Sequence, residues 1–189
     1  MILMFKNKIV LITGATSGIG EACARVFAKQ GATCLLTGRR SEKLKMICDS
    51  LSNQYANNNI PLPFDIRNRS DMMARLNESG HMENIDILVN NAGLVIGMDK
   101  IADVTDDAID TMIDTNIKGL VYATQAVLKG MKERNSGHVI NISSISGTQV
   151  YPGGGMYCAT KHAVDALTRT LRLELVETPI RVTSIDPGI

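Results

Sequence analysis

The stretch KIVLITGATSGIG, residues 8–20, decides the fold predicted for this chain. Its first half, KIVLIT, is a nearly continuous apolar run, which is typical of a strand covered on both faces of a sheet. TGATSGIG follows at once, and the residues after it have a helical period. Glycines at 14, 18 and 20 let the backbone approach a pyrophosphate at a helix N-terminus, where free N–H groups and the helix dipole favour anions. The stretch therefore predicts a strand, a phosphate-binding loop and a helix.

The glycine spacing narrows the kind of nucleotide site. The pattern is G-x-x-x-G-x-G, which differs from the G-x-G-x-x-G fingerprint, and no Lys-Ser/Thr pair follows as a P-loop requires. A glycine-rich turn without a ligand is the alternative at this point. The position after the first strand favours nucleotide binding, and the residues predicted to contact the cofactor here are Gly14, Ala15, Thr16, Ser17, Gly18, Ile19 and Gly20.

Outward from this unit, short apolar runs alternate with segments of helical period. Further strands are predicted at 33–37, 60–65, 85–90, 138–143 and 180–186, and helices at 18–30, 41–54, 68–80, 105–133 and 155–177. This alternation predicts an α/β fold of Rossmann type, a doubly wound parallel β-sheet with helices on both faces in a three-layer α/β/α arrangement. With 189 residues, we expect a single dinucleotide-binding domain over 1–189, in which NQYANNN (53–59) is a polar surface loop.

Composition and charge exclude several functional classes. A net charge of +1 gives no electrostatic footprint for nucleic acid or an anionic membrane. No apolar run approaches the roughly 20 residues of a membrane span, and the apolar part of MILMFKNK is too short for a secretion signal. The cysteines and histidines lack the spacing of metal ligands. We expect a cytoplasmic protein with reduced thiols and no metal, which binds a small molecule and neither nucleic acid nor membrane.

The end of the second strand indicates which nucleotide is bound. An NAD site usually has an acidic residue there to hold the ribose hydroxyls, but this chain has Gly38 followed by Arg39 and Arg40. A guanidinium group pairs with a 2′-phosphate in a planar fork. A solvated basic turn is the alternative. The stretch favours NADP(H) over NAD(H).

Two further strand ends carry polar residues at the same edge of the sheet, where ligands bind in such folds. Asp65, followed by Ile66, would accept a hydrogen bond from an adenine amino group. Asn91, followed by Ala92 and Gly93, would hold the chain near the cofactor. Both polar residues are equally typical of helix caps and turns, so position rather than residue type favours a functional role.

Asn116 is a polar residue within the apolar stripe of the predicted helix 105–133. A buried amide costs roughly 1–3 kcal/mol unless it is hydrogen-bonded, so this side chain needs partners or a water molecule. A satisfied core asparagine and a functional one are equally compatible with the pattern.

The stretch SSISGTQVYPGGGMYCATK, residues 143–161, carries the candidate catalytic groups. Tyr157 and Lys161 are i and i+4 on a predicted helix, so they lie on one face. A free tyrosine titrates near 10, but a nearby ammonium ion favours tyrosinate. Lowering that value to about 7 requires roughly 4 kcal/mol, which one unit charge at about 4 Å supplies at an effective dielectric of about 20.

Ser144 ends the fifth predicted strand, at the ligand edge of the sheet. It would hydrogen-bond the substrate oxygen while Tyr157 exchanges a proton with that oxygen. A Tyr-x-x-x-Lys pair is by itself a weak signal. Here it follows a serine-bearing strand end in a nucleotide-binding fold, and the combination indicates an oxidoreductase.

Together these motifs resemble the short-chain dehydrogenase/reductase family over essentially the whole chain: TGATSGIG, NNAG, the asparagine of DTNIKG, NISS, YCATK and DPG. The resemblance implies that Asn116, Ser144, Tyr157 and Lys161 form a catalytic tetrad. It also implies that the lysine binds the nicotinamide ribose, that the asparagine holds a water in a proton relay, and that Pro187 and Gly188 lie beside the nicotinamide carboxamide. NNAGLVIGMD, MIDTNIKGLVYAT and IRVTSIDPG look most like the NADP-dependent branch acting on 3-hydroxy acids such as serine and 3-hydroxypropionate.

The resemblance carries two further expectations. Family members usually continue past the proline-glycine loop into substrate-binding helices and a further strand, so a chain that stops at Ile189 is expected to lack those elements. A homodimer or homotetramer built through helices 105–133 and 155–177 is also implied. The alternatives to an NADP(H)-dependent dehydrogenase are a non-catalytic NADP(H)-binding sensor or scaffold on the same fold, and an epimerase or dehydratase that regenerates its cofactor.

Overall fold

The computed structural model describes residues 3–188, and it contains one six-stranded parallel sheet. The strand order is β3-β2-β1-β4-β5-β6, with every neighbouring pair parallel. Residues 1, 2 and 189, which include the start of the MILMFKNK segment and the last residue of the chain, lie outside the described part. The strands are β1 Ile9–Ile12, β2 Thr33–Gly38, β3 Ile60–Pro63, β4 Ile87–Asn90, β5 His138–Ile142 and β6 Arg181–Ile185.

Helices cover both faces of the sheet, which confirms the predicted doubly wound α/β fold. The helices are α1 Gly18–Lys29, α2 Ser41–Tyr55, α3 Arg69–Glu78, α4 Asp106–Ile113, α5 Leu120–Glu133 and α6 Gly155–Glu174. The core on one face contains residues of α1 and α2, and the core on the other contains residues of α3, α5 and the C-terminal part of α6. None of the described helices is long and apolar enough to cross a membrane.

The two cores explain why the strand sequences are continuously apolar. Along β1, Val10 and Ile12 point into the core beneath α1 and α2, whereas Leu11 points into the opposite core. Along β4, Val89 and Leu88 divide in the same way. Because side chains alternate between faces, a strand buried on both sides needs an apolar residue at nearly every position.

The long helix predicted at 105–133 is interrupted by a π-helical turn, Asp114–Gly119, between α4 and α5. Gly119 ends this turn against Ile66, where an added Cβ would lie 2.7 Å from Cγ1 of that isoleucine. Asn116 lies within the π turn and is buried. Such turns are rare and frequently occur at functional sites. A 3.6-residue hydrophobic period does not reveal one.

The prediction of a polar surface loop at 53–59 is wrong at both ends of the segment and holds at 56–58, which are non-helical and not buried. Tyr55 is the last residue of α2, and Asn59 is buried, with its side chain accepting a hydrogen bond from the backbone N–H of Cys34 in β2 at 3.2 Å. The amide of Asn57 donates to the carbonyls of Ala28 and Ala32 at 2.8 Å each. These asparagines satisfy backbone groups that the sheet and α1 leave open.

The order of the strands determines where in the sheet the candidate site lies. The chain proceeds outward from β1 to β2 and β3 on one side, and from β4 to β5 and β6 on the other. The connection that follows β1 and the connection that follows β4 therefore run to opposite sides of the sheet, which opens a crevice at the carboxyl ends of these two strands. The glycine loop follows β1 at this crevice, and residues 91–94 follow β4 there.

Candidate active site

The glycine loop between β1 and α1 is shaped by two close approaches. Gly14 has φ +66°, a left-handed conformation that favours glycine. Gly20 lies in the first turn of α1, where an added Cβ would collide with the side-chain amide of Asn91 and the carbonyl of Gly14. Ser17, the N-cap residue of α1, has no side-chain capping hydrogen bond. The backbone N–H groups of this turn are therefore available to an anion.

Asn91 supports the glycine loop from behind. Its side-chain amide donates to the carbonyls of Thr13 at 2.9 Å and Gly14 at 3.1 Å. The hydroxyl of Thr13 in turn accepts hydrogen bonds from the backbone N–H groups of Asn91 and Ala92, both at 3.0 Å. Both hydrogens of the Asn91 amide are donated to the loop, so this side chain holds the loop in place.

A cavity of about 350 Å³ lies between the glycine loop and the ends of β2, β3 and β4. Its walls bring together residues that are far apart in sequence and that were predicted to bind the pyrophosphate, the 2′-phosphate and the adenine of the cofactor or to lie near it. The lining residues from that prediction are Gly14, Thr16, Ser17, Arg39, Arg40, Asp65, Ile66, Ala92 and Gly93.

The two arginines of this cavity have different contacts. Arg40 donates from Nη2 to the hydroxyls of Thr16 at 2.6 Å and Ser17 at 3.0 Å, and to the Thr16 carbonyl at 3.2 Å. Its guanidinium is thus bound to the glycine loop. Arg39 makes no comparable contact among the described residues, although its charge is close enough to help lower the pKa of Asp65. Arg39 is the arginine whose guanidinium is open to a ligand.

Asp65 is held by an arginine that the sequence reasoning did not single out. Arg67 donates to both carboxylate oxygens, from Nε at 3.0–3.1 Å and from Nη2 at 2.7 Å. These side-chain hydrogen bonds are the largest cause of a pKa below the ordinary aspartate value, and burial opposes them. The carboxylate therefore stays ionised, and its bidentate contact with Arg67 fixes its orientation at the cavity wall.

A second cavity, of about 870 Å³, extends from the glycine loop to the ends of β5 and β6. It collects residues from five separate segments of the sequence. Those predicted as site residues and found in its lining are Gly14, Ser17, Ile19, Asn91, Ala92, Gly93, Ser144, Tyr157, Lys161, Pro187 and Gly188. Val95, Met98, Ile145 and Tyr151 give the remaining wall an apolar character. Of the predicted site residues, Ala15, Gly18, Gly20 and Asn116 line neither cavity.

Lys161 is buried beneath this cavity, with 7% of its surface exposed. Its ammonium donates to the carbonyl of Ile142 at 2.9 Å, at the end of β5. Nζ lies 5.8 Å from the centroid of the Tyr157 ring. Burial lowers the pKa of Lys161 to about 8, and the charge of Asp186 opposes that effect. One ammonium hydrogen is used by Ile142, which leaves two for a ligand or water.

Ser144 follows β5 in an extended conformation. Its hydroxyl oxygen accepts a hydrogen bond from the backbone N–H of Ser146 at 3.1 Å. In this contact the hydroxyl acts only as an acceptor, so its own hydrogen can be donated to a ligand oxygen. Ser143, beside it, has a buried hydroxyl with no hydrogen-bond partner among the described residues. Both serines thus line the second cavity, Ser143 with a buried hydroxyl and Ser144 with a hydroxyl that is partly exposed.

The PGGG segment between Ser144 and Tyr157 lets α6 start close to its neighbours. At Gly153, where φ is +83°, an added Cβ would lie 2.5 Å from the carbonyl oxygen of Met98. The following two glycines are equally crowded, by the ring of Tyr151 and by Ile101. Glycine is required most clearly at Gly153, which has both a left-handed conformation and a backbone neighbour, and this junction carries Tyr157 into the cavity.

Asn116 is satisfied by protein groups. Its side-chain oxygen accepts from the backbone N–H of Leu94 at 2.9 Å, and its amide donates to the Leu94 carbonyl at 2.8 Å and to the hydroxyl of Thr160 at 3.0 Å. A Cβ built on Gly93 would lie 3.4 Å from Asn116 Oδ1 and 3.7 Å from Lys161 Nζ, so both side chains approach the same point of the backbone. Asn116 therefore lies behind the cavity wall and beside the lysine.

The sequence reasoning did not single out Thr160, Thr13 or Arg67. A threonine within YCATK and an arginine two residues after Asp65 have no distinguishing local pattern. A threonine directly before the glycine loop offers only its position as a signal. Their contacts span between 2 and 79 residues of sequence, and only the fold brings the longer pairs together.

The chain is similar to known proteins over nearly its whole length. Residues 8–189 match the family described as short chain dehydrogenase. The NADP-dependent 3-hydroxy acid dehydrogenase of Shigella flexneri is 48% identical over 185 residues, which cover 96% of this chain and 72% of that protein. An uncharacterized oxidoreductase of Staphylococcus aureus is 41% identical over 184 residues, which cover 97% of this chain and 78% of that protein.

Solved structures of similar proteins share the fold closely. The serine dehydrogenase of Escherichia coli superposes with a TM-score of 0.90 at 47% identity, covering 96% of this chain and 82% of that one. The closed form of a serine dehydrogenase complexed with NADP+ superposes with a TM-score of 0.89 at 47% identity, covering 96% and 72%.

Proposed function

Because this chain belongs to the short-chain dehydrogenase family, we propose that it is an NADP(H)-dependent oxidoreductase acting on an alcohol or carbonyl carbon. The observation that carries the proposal is the second cavity. The Tyr157 and Lys161 side chains, one helical turn apart, face it together with Ser144, and the same cavity reaches the glycine loop. A site that joins an anion-binding helix N-terminus to an acid–base group suits a reaction between a dinucleotide and a small substrate.

The chain's own groups fit NADP(H). The crowding at Gly20 keeps the loop backbone free of side chains where a pyrophosphate would bind, and Arg39 offers an open guanidinium at the adenosine cavity for a 2′-phosphate. Lys161 retains two N–H donors for the nicotinamide ribose. Pro187 and Gly188 line the cavity where the carboxamide would lie. Bound here, the nicotinamide would supply the hydride for reduction of the substrate carbon or accept it in the oxidation.

The proton is handled by protein residues. In the direction of reduction, the phenol of Tyr157 donates a proton to the substrate oxygen, and Ser144 donates a hydrogen bond that orients the same oxygen. The ammonium of Lys161 favours the phenolate that forms. Asn116 closes the back of the site. Both hydrogens of the Asn116 amide are donated to protein groups, so this amide has none left for a relay water. Such a water would have to donate its own hydrogen bond to an acceptor in the π turn.

We propose 3-hydroxy acids and the matching 3-oxo acids, such as serine and 3-hydroxypropionate among the alcohols, as the substrate class. The support is the 48% identity to proteins named as NADP-dependent 3-hydroxy acid dehydrogenases, over 96% of this chain. The 47% identity to serine dehydrogenases of known structure agrees with it.

We also propose a cytoplasmic homodimer or homotetramer that associates through α5 and α6. Exposed Leu173 and Val176, in the last turn of α6 and just after it, support an apolar contact there, since both side chains are 75% exposed. The four free cysteines agree with a reducing compartment. Light scattering distinguishes the dimer, the tetramer and a monomer.

The test is the oxidation of NADPH by a panel of 3-oxo acids and diketones, with Tyr157→Phe beside the wild-type protein. Loss of general acid catalysis should lower kcat by about 10²- to 10⁴-fold. Tyr122→Phe is the matched control, because the Tyr122 ring is on α5, packs under Arg69 of α3 and does not line the cavity. Tight NADPH binding without turnover would favour a non-catalytic sensor. Turnover that survives in Tyr157→Phe would overturn the assignment of the acid.

A further inference from the structure

The hydroxyl group of Thr160 links the helical turn that carries Tyr157 to the π turn that carries Asn116. The side chain is buried, with 1% of its surface exposed. Its hydroxyl donates to the carbonyl of Tyr157 at 2.8 Å and accepts from the Asn116 amide at 3.0 Å. Thr160 also directly precedes Lys161 in the chain. It is thus bonded to the backbone of one candidate catalytic residue and covalently joined to the other.

The contact continues beyond Asn116. That side chain makes a two-way hydrogen bond with the backbone of Leu94, which follows β4. The resulting chain of hydrogen bonds therefore joins three separate segments: the stretch after β4, the π turn between α4 and α5, and the first turns of α6. In sequence, Thr160 and Asn116 are 44 residues apart, and Asn116 and Leu94 are 22 apart.

The start of α6 has few other side-chain hydrogen bonds to hold it. Its N-cap residue is Gly154, which makes no side-chain capping hydrogen bond and lies within PGGG (152–155). Glycine has no side chain that could form a hydrogen bond, so any side-chain hydrogen bond that holds this end of α6 comes from other residues. The bond from Lys161 to the Ile142 carbonyl anchors one point of the turn. The hydroxyl of Thr160 anchors a second point, on the side of Tyr157.

We propose that Thr160 is a positioning residue that holds the turn carrying Tyr157 and Lys161 against the π turn and the Leu94 segment. Its hydroxyl does not line the cavity and acts through the Tyr157 carbonyl. The inference rests on the proposed function only for its kinetic consequence. The mechanical link itself is testable on a protein without turnover.

The test compares Thr160→Val, which keeps the side-chain shape and removes the hydroxyl, with Thr160→Ser, which keeps the hydroxyl. Thr168 provides the matched control on the same helix. It is also fully buried, and its hydroxyl donates to the Val164 carbonyl at 2.7 Å and accepts from the Asn141 amide at 2.8 Å, outside the cavity lining. Thr168→Val therefore removes an equivalent pair of hydrogen bonds two turns away from the candidate site.

Hydrogen exchange read by mass spectrometry gives the result that is independent of turnover. In Thr160→Val, amides in 155–161 and 114–119 should exchange about three- to tenfold faster, the factor expected for the lost hydrogen bond between Thr160 and Asn116, which links the two segments. In Thr168→Val the same two segments should keep their wild-type rates. Unchanged exchange in both segments of Thr160→Val would overturn the link, whether or not the wild-type protein shows turnover.

Kinetics test the consequence for the reaction. Thr160→Val should lower kcat about tenfold, less than the roughly 10²-fold expected for a 1 Å misplacement, while KM for NADPH changes less than threefold. Thr160→Ser should restore kcat to within about twofold. An equal loss in Thr168→Val would overturn the positioning role, since it would reflect general destabilisation.

If Thr160→Val does not fold, Thr160→Ala and Thr168→Ala replace the valine pair, because alanine removes the hydroxyl without a methyl group that needs space. The expected ordering is the same. The two hypotheses also fail differently. A wild-type protein that binds NADPH but turns over no carbonyl compound defeats the proposed function, whereas the exchange data alone decide the link.

Discussion

Replacing Lys161 with methionine is expected to stabilise the folded protein at neutral pH and to abolish turnover. The reason is that the ammonium is buried, with one protein carbonyl as its acceptor, and methionine has a similar length without the charge. Burial lowers the pKa of Lys161 from 10.5 to about 8, against the opposing charge of Asp186. By linkage, that difference corresponds to roughly 3 kcal/mol of destabilisation below pH 8.

The lost hydrogen bond to Ile142 offsets part of this gain. A hydrogen bond to a charged group contributes about 2 kcal/mol, so the net stabilisation of Lys161→Met should be about 1 kcal/mol near pH 7. The sign of the pH dependence follows from the lowered pKa. Between about pH 8 and 10.5 the unfolded chain binds the proton and the folded protein does not, so raising the pH stabilises the wild-type protein across this window. By about pH 9 the wild type should recover roughly 1 kcal/mol, and the two proteins should become equally stable.

Urea unfolding followed by circular dichroism, at pH 7 and pH 9 without cofactor, measures this difference. Other titrating groups are common to both proteins and cancel in the comparison. Lys45→Met, at an exposed position of α2, should show no pH-dependent difference from the wild type. A difference between Lys161→Met and wild type that stays constant from pH 7 to 9 would refute the reasoning, as would a variant that is less stable than wild type at pH 7.

Two further predictions concern cofactor binding. Arg39→Ala should weaken NADPH binding by about tenfold or more and leave NADH binding nearly unchanged, whereas Arg40→Ala should weaken both, because Arg40 holds Thr16 and Ser17 of the glycine loop. Fluorescence titration with both cofactors distinguishes the two arginines, and equal effects on NADPH and NADH in Arg39→Ala would contradict the assignment. Gly20→Ala should destabilise the fold by about 1–3 kcal/mol and weaken both cofactors, because the new Cβ collides with the Asn91 amide and the Gly14 carbonyl. A thermal melt like that of the wild type would show that the loop can move aside.

Most of the fold was predictable because its signals are local. Each strand has four to six residues, and the continuous apolar character of β1 and β4 already indicated burial on both faces. The spacing of Tyr157 and Lys161 implied one helical face, and both line the same cavity. Asn116 was recognisable as a buried amide in need of partners, and the structure gives it three hydrogen bonds.

Other features depended on contacts that local patterns do not contain. The sequence predicted two cofactor-binding arginines. The structure shows that they differ, because Arg40, at the start of α2, donates to the hydroxyl of Thr16 in the glycine loop and Arg39 does not. Asn91 was expected to hold the chain near the cofactor, and the structure identifies the backbone carbonyls to which its amide donates, those of Thr13 and Gly14. The π turn was not predicted, because one additional residue in a helical turn leaves the apolar period almost unchanged.

The family, the wound parallel sheet and the types of chemical groups at its carboxyl edge could all be predicted from the sequence, because they follow from short-range periodicity and motif spacing. Which of those groups face a ligand, and which hold other groups in place, depends on how the chain packs in three dimensions. That choice depends on hydrogen bonds between residues 22 to 79 positions apart, such as Asn116 with Leu94 and Ala92 with Thr13. A buried polar group must find a partner wherever the fold brings one, and no local pattern records which partner that is.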